Sequence, residues 1–321
     1  METLDIVRLN LFSPMVLAFV LGIMAVLLRS DLKLPEGLYS GLSIYLLLAI
    51  GLKGGAELSA TSLAQFWRPA LVTLLLGSII PLWSYVILRR LGKFNVADAA
   101  ALAAHYGSVS AVTFSASQTF LDNLQISYEG FMPTLVAVLE VPAIVIALMI
   151  AQSRSDATTR WGELLRELLV GRSILLLVGG LLIGLLAGKP GLEQVAPFFV
   201  DPFQGVLALF LLEMGMVAAR RLRDLRQAGL FLIGFGIIMP MAHGILGVWL
   251  GQIAGLSLGG SMILAVLAAS ASYIAAPAAV RIALPQANPG FYLTASLAIT
   301  FPFNLTVGLP LYLSIAQMLY R

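Results

Sequence analysis

Ala104-His105-Tyr106-Gly107-Ser108-Val109-Ser110-Ala111-Val112-Thr113 and Ala269-Ser270-Ala271-Ser272-Tyr273-Ile274-Ala275-Ala276-Pro277 are the two stretches on which the fold turns. Each lies inside a long apolar run and interrupts it with hydroxyls and a potential helix breaker. In hydrocarbon every backbone N–H and C=O needs an internal partner. Polar, irregular backbone therefore survives there only where it is buried in protein or lines a cavity.

The chain around them points to a membrane. Of 321 residues, 60% are hydrophobic and 11% charged, which is more apolar side chain than a soluble core of this size buries. A bilayer core takes about 20 apolar residues per helical crossing. Runs of that order recur near 11–28, 37–52, 69–88, 96–121 and 131–151, then near 174–187, 202–219, 228–253, 258–284 and 291–319. The reading is an all-α polytopic membrane protein with ten crossings. The first ten residues carry Glu2, Asp5 and Arg8, a poor match to a secretory leader, so the first run is expected to be retained.

Composition also excludes chemistries. With no cysteine and only His105 and His243 as histidines, thiol, redox and transition-metal sites are not expected. No nucleophile stands with a base in the pattern an enzyme needs. The nineteen lysines and arginines cluster between the apolar runs, which fits membrane orientation better than nucleic-acid binding. Fourteen, including Arg29, Arg89, Arg172, Arg221 and Arg281, fall on one side, and five, from Arg8 and Lys53 to Arg321, on the other. The positive-inside rule then puts both termini outside the cytoplasm of a bacterial inner (plasma) membrane.

An internal repeat accompanies the ten crossings. Leu47 to Gly51 parallels Leu211 to Gly215, Gly77 to Pro81 parallels Gly236 to Pro240, and Gly130-Phe131 with Pro142 parallels Gly290-Phe291 with Pro302. Five crossings per half is an odd number, so the halves enter the membrane from opposite sides and the repeat is inverted. The domains read as 1–152 for the first half, 153–172 for a cytoplasmic connection and 173–321 for the second half.

The two opening stretches occupy the fourth and ninth crossings, which the repeat makes partners. Gly107 and Pro277 can interrupt their helices and free backbone N–H groups at the positive end of each second half-helix. Two such ends meeting near the midplane would hold a small anion. Gly107, Ser108, Val109, Ser110, Ser270, Ala271, Ser272, Tyr273, Ile274 and Ala275 are the candidate substrate residues. Oxygens of Ser108, Ser110, Thr113, Ser272 and Glu140 suit a sodium ion and are the candidate cation ligands. The alternative for each small residue is close helix packing, the usual role of Gly, Ala and Ser in membranes.

Other polar residues have plainer readings beside the functional ones. Glu140 lies within the fifth crossing and must be protonated, paired or facing a wet cavity, with Glu213 in the seventh a weaker case. His105 and His243 could relay protons or simply pack. Lys53 and Glu57, with Gly54 and Gly55, end the second run and read as an interfacial anchor. Trp67, Trp83, Trp161 and Trp249 read as interfacial anchors too.

Gly51-Leu52-Lys53-Gly54-Gly55, Gly107 to Ser110, Ile126-Ser127-Tyr128-Glu129, Glu140-Val141-Pro142-Ala143, Met214-Gly215-Met216, His243-Gly244, Pro277, Arg281, Pro285 and Ala287-Asn288-Pro289 together resemble the sodium-dependent bicarbonate transporter family, the SbtA-type permeases, essentially end to end. The resemblance implies a homotrimeric ten-helix symporter binding bicarbonate and sodium where the fourth and ninth helices cross. It also implies regulation by a cytoplasmic PII-like protein. Tyr273 stands where cyanobacterial members carry an aspartate, Glu140 matches a family aspartate, and the connection from Gln152 to Arg172 is shorter than in those members.

The expectation is therefore a secondary active transporter in contact with membrane lipid, taking up bicarbonate by sodium symport through alternating access, with sodium its only metal and no other cofactor. A proton-coupled or uncoupled carrier of another small anion or carboxylate stays open because of Tyr273, and a channel is the remaining alternative.

Overall fold

The computed structural model describes residues 3–152, 162, 166 and 169–321. Trp161 and most of the connection 153–172 lie outside the described residues. Among those described, the fold is all helix. Seven helices are long and apolar enough to cross a membrane, or eight when the pair bent by 52° at the N-terminus is taken as one.

In chain order the helices are α1 (Thr3–Leu11), α2 (Pro14–Leu27), α3 (Glu36–Ser59), α4 (Leu63–Arg90), α5 (Val96–Gly107), α6 (Ala111–Asn123) and α7 (Met132–Gln152). There follow α8 (Arg172–Phe199), α9 (Phe203–Arg221), α10 (Leu225–Ile253), α11 (Leu258–Ala269), α12 (Ala275–Ala283) and α13 (Pro289–Leu319), the last containing π-helical turns at Thr294–Thr300 and Asn304–Gly308. Every described apolar run of the sequence is helical. The fourth and ninth runs are not single helices. Each is a pair, α5 with α6 and α11 with α12, and 12 residues rise only about 18 Å.

Two of the expected runs are corrected. The second does not end at Leu52: α3 continues to Ser59, so Lys53 and Glu57 lie inside it, and Glu57 pairs with Lys189 at 3.2 Å. The sixth extends well beyond 187, because α8 passes Gly188 (φ 63°) with a kink and continues to Phe199. The two helices pack through one feature. A β-carbon on Gly51 or Gly55 would overlap the backbone of Leu177 or Leu181, and one on Gly180 or Gly184 the backbone of Leu48 or Leu52. Backbone lies on backbone along a small-xxx-small stripe, and this close approach offsets the weak helix propensity of glycine.

The same device joins α2 to α9, where Gly22 faces Leu212 and Gly215 faces Phe19. These four helices form one bundle. The other is built from α4 packed on α5 and α7, and α10 packed on α11 and α13. Its centre is α5, α6 and α11: residues 97–110 and 259–273 are buried without exception, as a helix apolar on all sides requires. At the other extreme, only 22% of the apolar window of α8 is buried.

Carboxylates tie helix starts together at two places. Asp98 accepts from the Asn288 N–H at 2.7 Å, joining the start of α5 to that of α13. Glu129 accepts from the Ser257 N–H at 2.6 Å and from its Oγ at 3.1 Å, joining the turn that leads into α7 to the cap of α11.

Candidate functional site

α5 ends because Ser108 turns extended (φ −88°, ψ 175°), and α6 restarts at Ser110, whose Oγ accepts from the Thr113 N–H at 3.2 Å. Ser110 is thus a serine N-cap that closes its own break. Gly107 is required by packing, since a β-carbon there would press on Pro81 and Ala143. The second break is longer, from Ser270 to Ile274, and no residue in it caps α12 in the same way. Ser272 Oγ reaches forward to accept from the Ala276 N–H at 3.2 Å.

Pro277 was expected to break the ninth helix and does not. It sits in the first turn of α12, where its missing N–H removes no helical bond. The break is upstream, formed by the serines.

The two breaks hold each other. The Ser110 N–H donates to Ser270 Oγ at 3.0 Å, the Ser272 N–H donates to the His105 carbonyl at 2.8 Å, and Ser108 Oγ donates to the Glu140 carbonyl at 3.4 Å. Two of the N–H groups freed by the breaks, those of Ser110 and Ser272, are thus spent on the crossing itself.

A cavity of about 10 Å³ lies at the crossing, lined by Leu47, Val109, Ser110, Ala111, Glu140, Ser173, Ser272, Tyr273 and Ile274. It has room for about one water. Ser110 Oγ already accepts from Thr113 N–H and Oγ1, and Ser272 Oγ from Ala276. Their hydroxyl hydrogens are therefore the groups free to donate into the cavity. Among the described residues the buried Tyr273 hydroxyl has no hydrogen-bond partner, and its ring is edge-on to Phe301 at 5.5 Å. Glu140 is 5% exposed and forms no ion pair among the described residues. The first turns of α6 and α12 both border the cavity and add their positive dipole ends.

Of the residues singled out in the sequence, Val109, Ser110, Ser272, Tyr273, Ile274 and Glu140 line this cavity. Gly107, Ser108, Thr113, Ser270 and Ala271 stand behind them and shape the breaks. Ala275 faces an adjoining cavity. Glu213 is elsewhere, 4.0 Å from Arg220.

Both histidines are engaged by aromatic rings. His105 Nδ1 lies 2.7 Å from the Ala101 carbonyl and its ring stacks on Tyr292. The ring of His243 stacks on Trp83, and its Nε2 accepts from Trp83 Nε1–H at 2.8 Å. Trp83 is thus no simple interfacial anchor, whereas Trp67 and Trp249 are about half exposed.

Ser173 is the contributor that the sequence did not single out, whereas Thr300 is the repeat partner of Glu140 and Asn304 follows it on the helix expected beside the broken pair. Ser173, at the start of α8, reaches the cavity, and nothing in its neighbourhood signals this. Asn304 donates to the Ala269 carbonyl at 2.8 Å, tying off the end of α11, and Tyr312 OH donates to Asn304 Oδ1 at 2.9 Å. Thr300 donates to the Gly236 carbonyl and meets the Tyr106 hydroxyl at 2.7 Å.

No curated protein matches the chain. A family model matches residues 14–317, nearly the whole length and both breaks: the chain belongs to the Na+-dependent bicarbonate transporter superfamily and is a transport protein, not an enzyme.

Proposed function

We propose that the protein takes up bicarbonate together with sodium by alternating access, binding both at the crossing of α5–α6 with α11–α12. The observation that carries this reading is the cavity there, where hydroxyls of Ser110, Ser272 and Tyr273 and two half-helix N-termini meet the lone carboxylate of Glu140. Hydroxyl hydrogens and dipole ends suit an oxyanion, and the Glu140 carboxylate with hydroxyl oxygens suits a hard cation.

The architecture proposed is ten crossings in two inverted halves, with both termini outside a bacterial inner membrane. Helix pairing supports it. α2 on α9 and α3 on α8 are the same pair with the halves exchanged, as are α4 on α7 and α10 on α13, and α4 on α5 and α10 on α11. The Asp98–Asn288 and Glu129–Ser257 ties exchange in the same way. The glycine-packed bundle meets the bundle of broken helices less closely than the helices within each bundle meet one another, which favours movement of one against the other. At about 10 Å³ the cavity must widen to admit bicarbonate, so loading and movement are coupled. Assembly as a homotrimer and control by a PII-like regulator are carried over from the family resemblance.

A second reading, coupling to protons and carriage of another small anion, draws on Tyr273 in place of a second carboxylate. One experiment separates them: uptake of radiolabelled inorganic carbon by a carbonic-anhydrase-deficient host at alkaline pH, with sodium or potassium as sole alkali cation. Symport predicts uptake in sodium only, and in Glu140→Gln a half-saturating sodium concentration raised about tenfold, the loss of one charged ligand. Sodium-independent uptake selects the second reading, and no uptake by well-expressed protein rejects bicarbonate as cargo.

A further inference from the structure

Next to the crossing lies a second, larger cavity of about 160 Å³, lined by Gly171, Arg172, Ser173, Ile174, Ile274, Ala275, Ala278 and Ala279. It shares Ser173, Ile274 and nothing else with the small cavity. The two spaces are thus separated by one serine and one isoleucine.

The walls of this vestibule are positive from three directions. The first turn of α8, starting at Gly171 without a side-chain cap, supplies one helix N-terminus, and the first turn of α12 supplies another. Arg172 adds a guanidinium that no carboxylate pairs among the described residues. The observation that points to a ligand is Ser173. It is 8% exposed, lines both cavities, and its hydroxyl makes no hydrogen bond among the described residues. A hydroxyl on a buried residue that opens only to these cavities has its donor and acceptor capacity directed at whatever occupies them.

We propose that this vestibule is a second anion site, an antechamber in which Arg172 and Ser173 hold a small oxyanion one step from the crossing, with Ile274 as the partition between the two. Its volume takes an ion with part of its water, whereas the crossing has room for about one water. Dehydration is then split into two stages: the ion keeps some water beside Arg172 and loses the rest as it passes Ile274. The inference rests on the transport reading above and adds to it a specific route, on the arginine-rich side of the molecule.

The test uses the full chain in proteoliposomes of determined orientation, with radiolabelled bicarbonate presented to one face at a time. Arg172→Gln removes one charged donor, so the half-saturating bicarbonate concentration at the arginine-rich face should rise about tenfold while that at the opposite face stays as in the parent. Arg172→Lys should restore most of the loss. Ala278→Glu, which places a carboxylate at an exposed position of the vestibule wall, should weaken the same face by a similar factor without touching Arg172. Unchanged half-saturation at the arginine-rich face in both Arg172→Gln and Ala278→Glu overturns the antechamber and leaves the transport reading intact, as does an equal rise on both faces. A parent protein that moves no inorganic carbon from either face overturns the transport reading and the antechamber with it.

Discussion

The glycine seams and the crossing of the breaks solve the same problem by opposite means. Along α3 and α8, and along α2 and α9, backbone is pressed on backbone with no side chain between. Along the glycine stripes dispersion and shape hold these pairs, as expected where hydrocarbon offers no hydrophobic driving force between helices, and polar contacts between α3 and α8 come only beyond the stripe, at Lys189–Glu57 and Tyr45–Phe198. At the crossing, helical bonds are given up over Ser108–Ser110 and Ser270–Ile274, and the loss is made good by serine hydroxyls and by bonds from one break to the other. The seam tolerates no added atom. The crossing has spare hydroxyl hydrogens and a carboxylate facing a cavity. A packed seam leaves no room between its helices, and a hydrogen-bonded crossing leaves a polar cavity.

The sharpest break of this comparison is at the seam. Gly55→Leu inserts a side chain where even a β-carbon overlaps the Leu181 backbone, so overpacking should cost about 3 kcal/mol or more. The expected result is loss of the monodisperse species in fluorescence-detected gel filtration. Recovery of a normal profile would mean that the seam is not a rigid contact.

Next in size are the paired serines. Ser110→Ala removes the cap of α6, worth about 1 kcal/mol, together with a hydroxyl of the cavity. Ser272→Ala also removes a cavity hydroxyl, but no N-cap is lost with it and its backbone bond to His105 remains. Uptake of labelled inorganic carbon should fall at least about tenfold in Ser110→Ala and by less in Ser272→Ala, with both expressed normally. Full activity in both would remove the crossing as the site.

The smallest effect sharpens the comparison by contrast. Gly37, in the first turn of α3, has nothing within 4 Å of its would-be β-carbon. Gly37→Ala should therefore leave uptake unchanged and raise stability by about 0.5 kcal/mol through helix propensity alone, readable as a small upward shift in the temperature of aggregation.

Much of this architecture is legible without coordinates because hydrocarbon is a strict solvent. Apolar runs of crossing length must be helices, and serine clusters within such runs must be buried or line a cavity, which marked Val109, Ser110, Ser272, Tyr273, Ile274 and Glu140 before any geometry was known. Where the reading failed, the cause was local. Lys53 and Lys189 looked like the ends of runs because charge is read as a boundary, yet Lys189 pairs with Glu57 across the α3–α8 contact. Pro277 looked like a breaker because proline lacks an N–H, yet in a first turn that group has no helical partner.

By itself, then, the sequence determined the class of the fold, the positions of its helices and the two places where polar groups must gather, since each follows from the solvation of a segment considered alone. The tertiary structure decided what no segment carries alone: that an N–H of each break donates to an oxygen of the other helix pair, that Ser173 and Asn304 from distant helices complete the crossing, and that Arg172 stands beside it. Those are contacts between residues far apart in the chain, and their energies depend on distances that only packing sets.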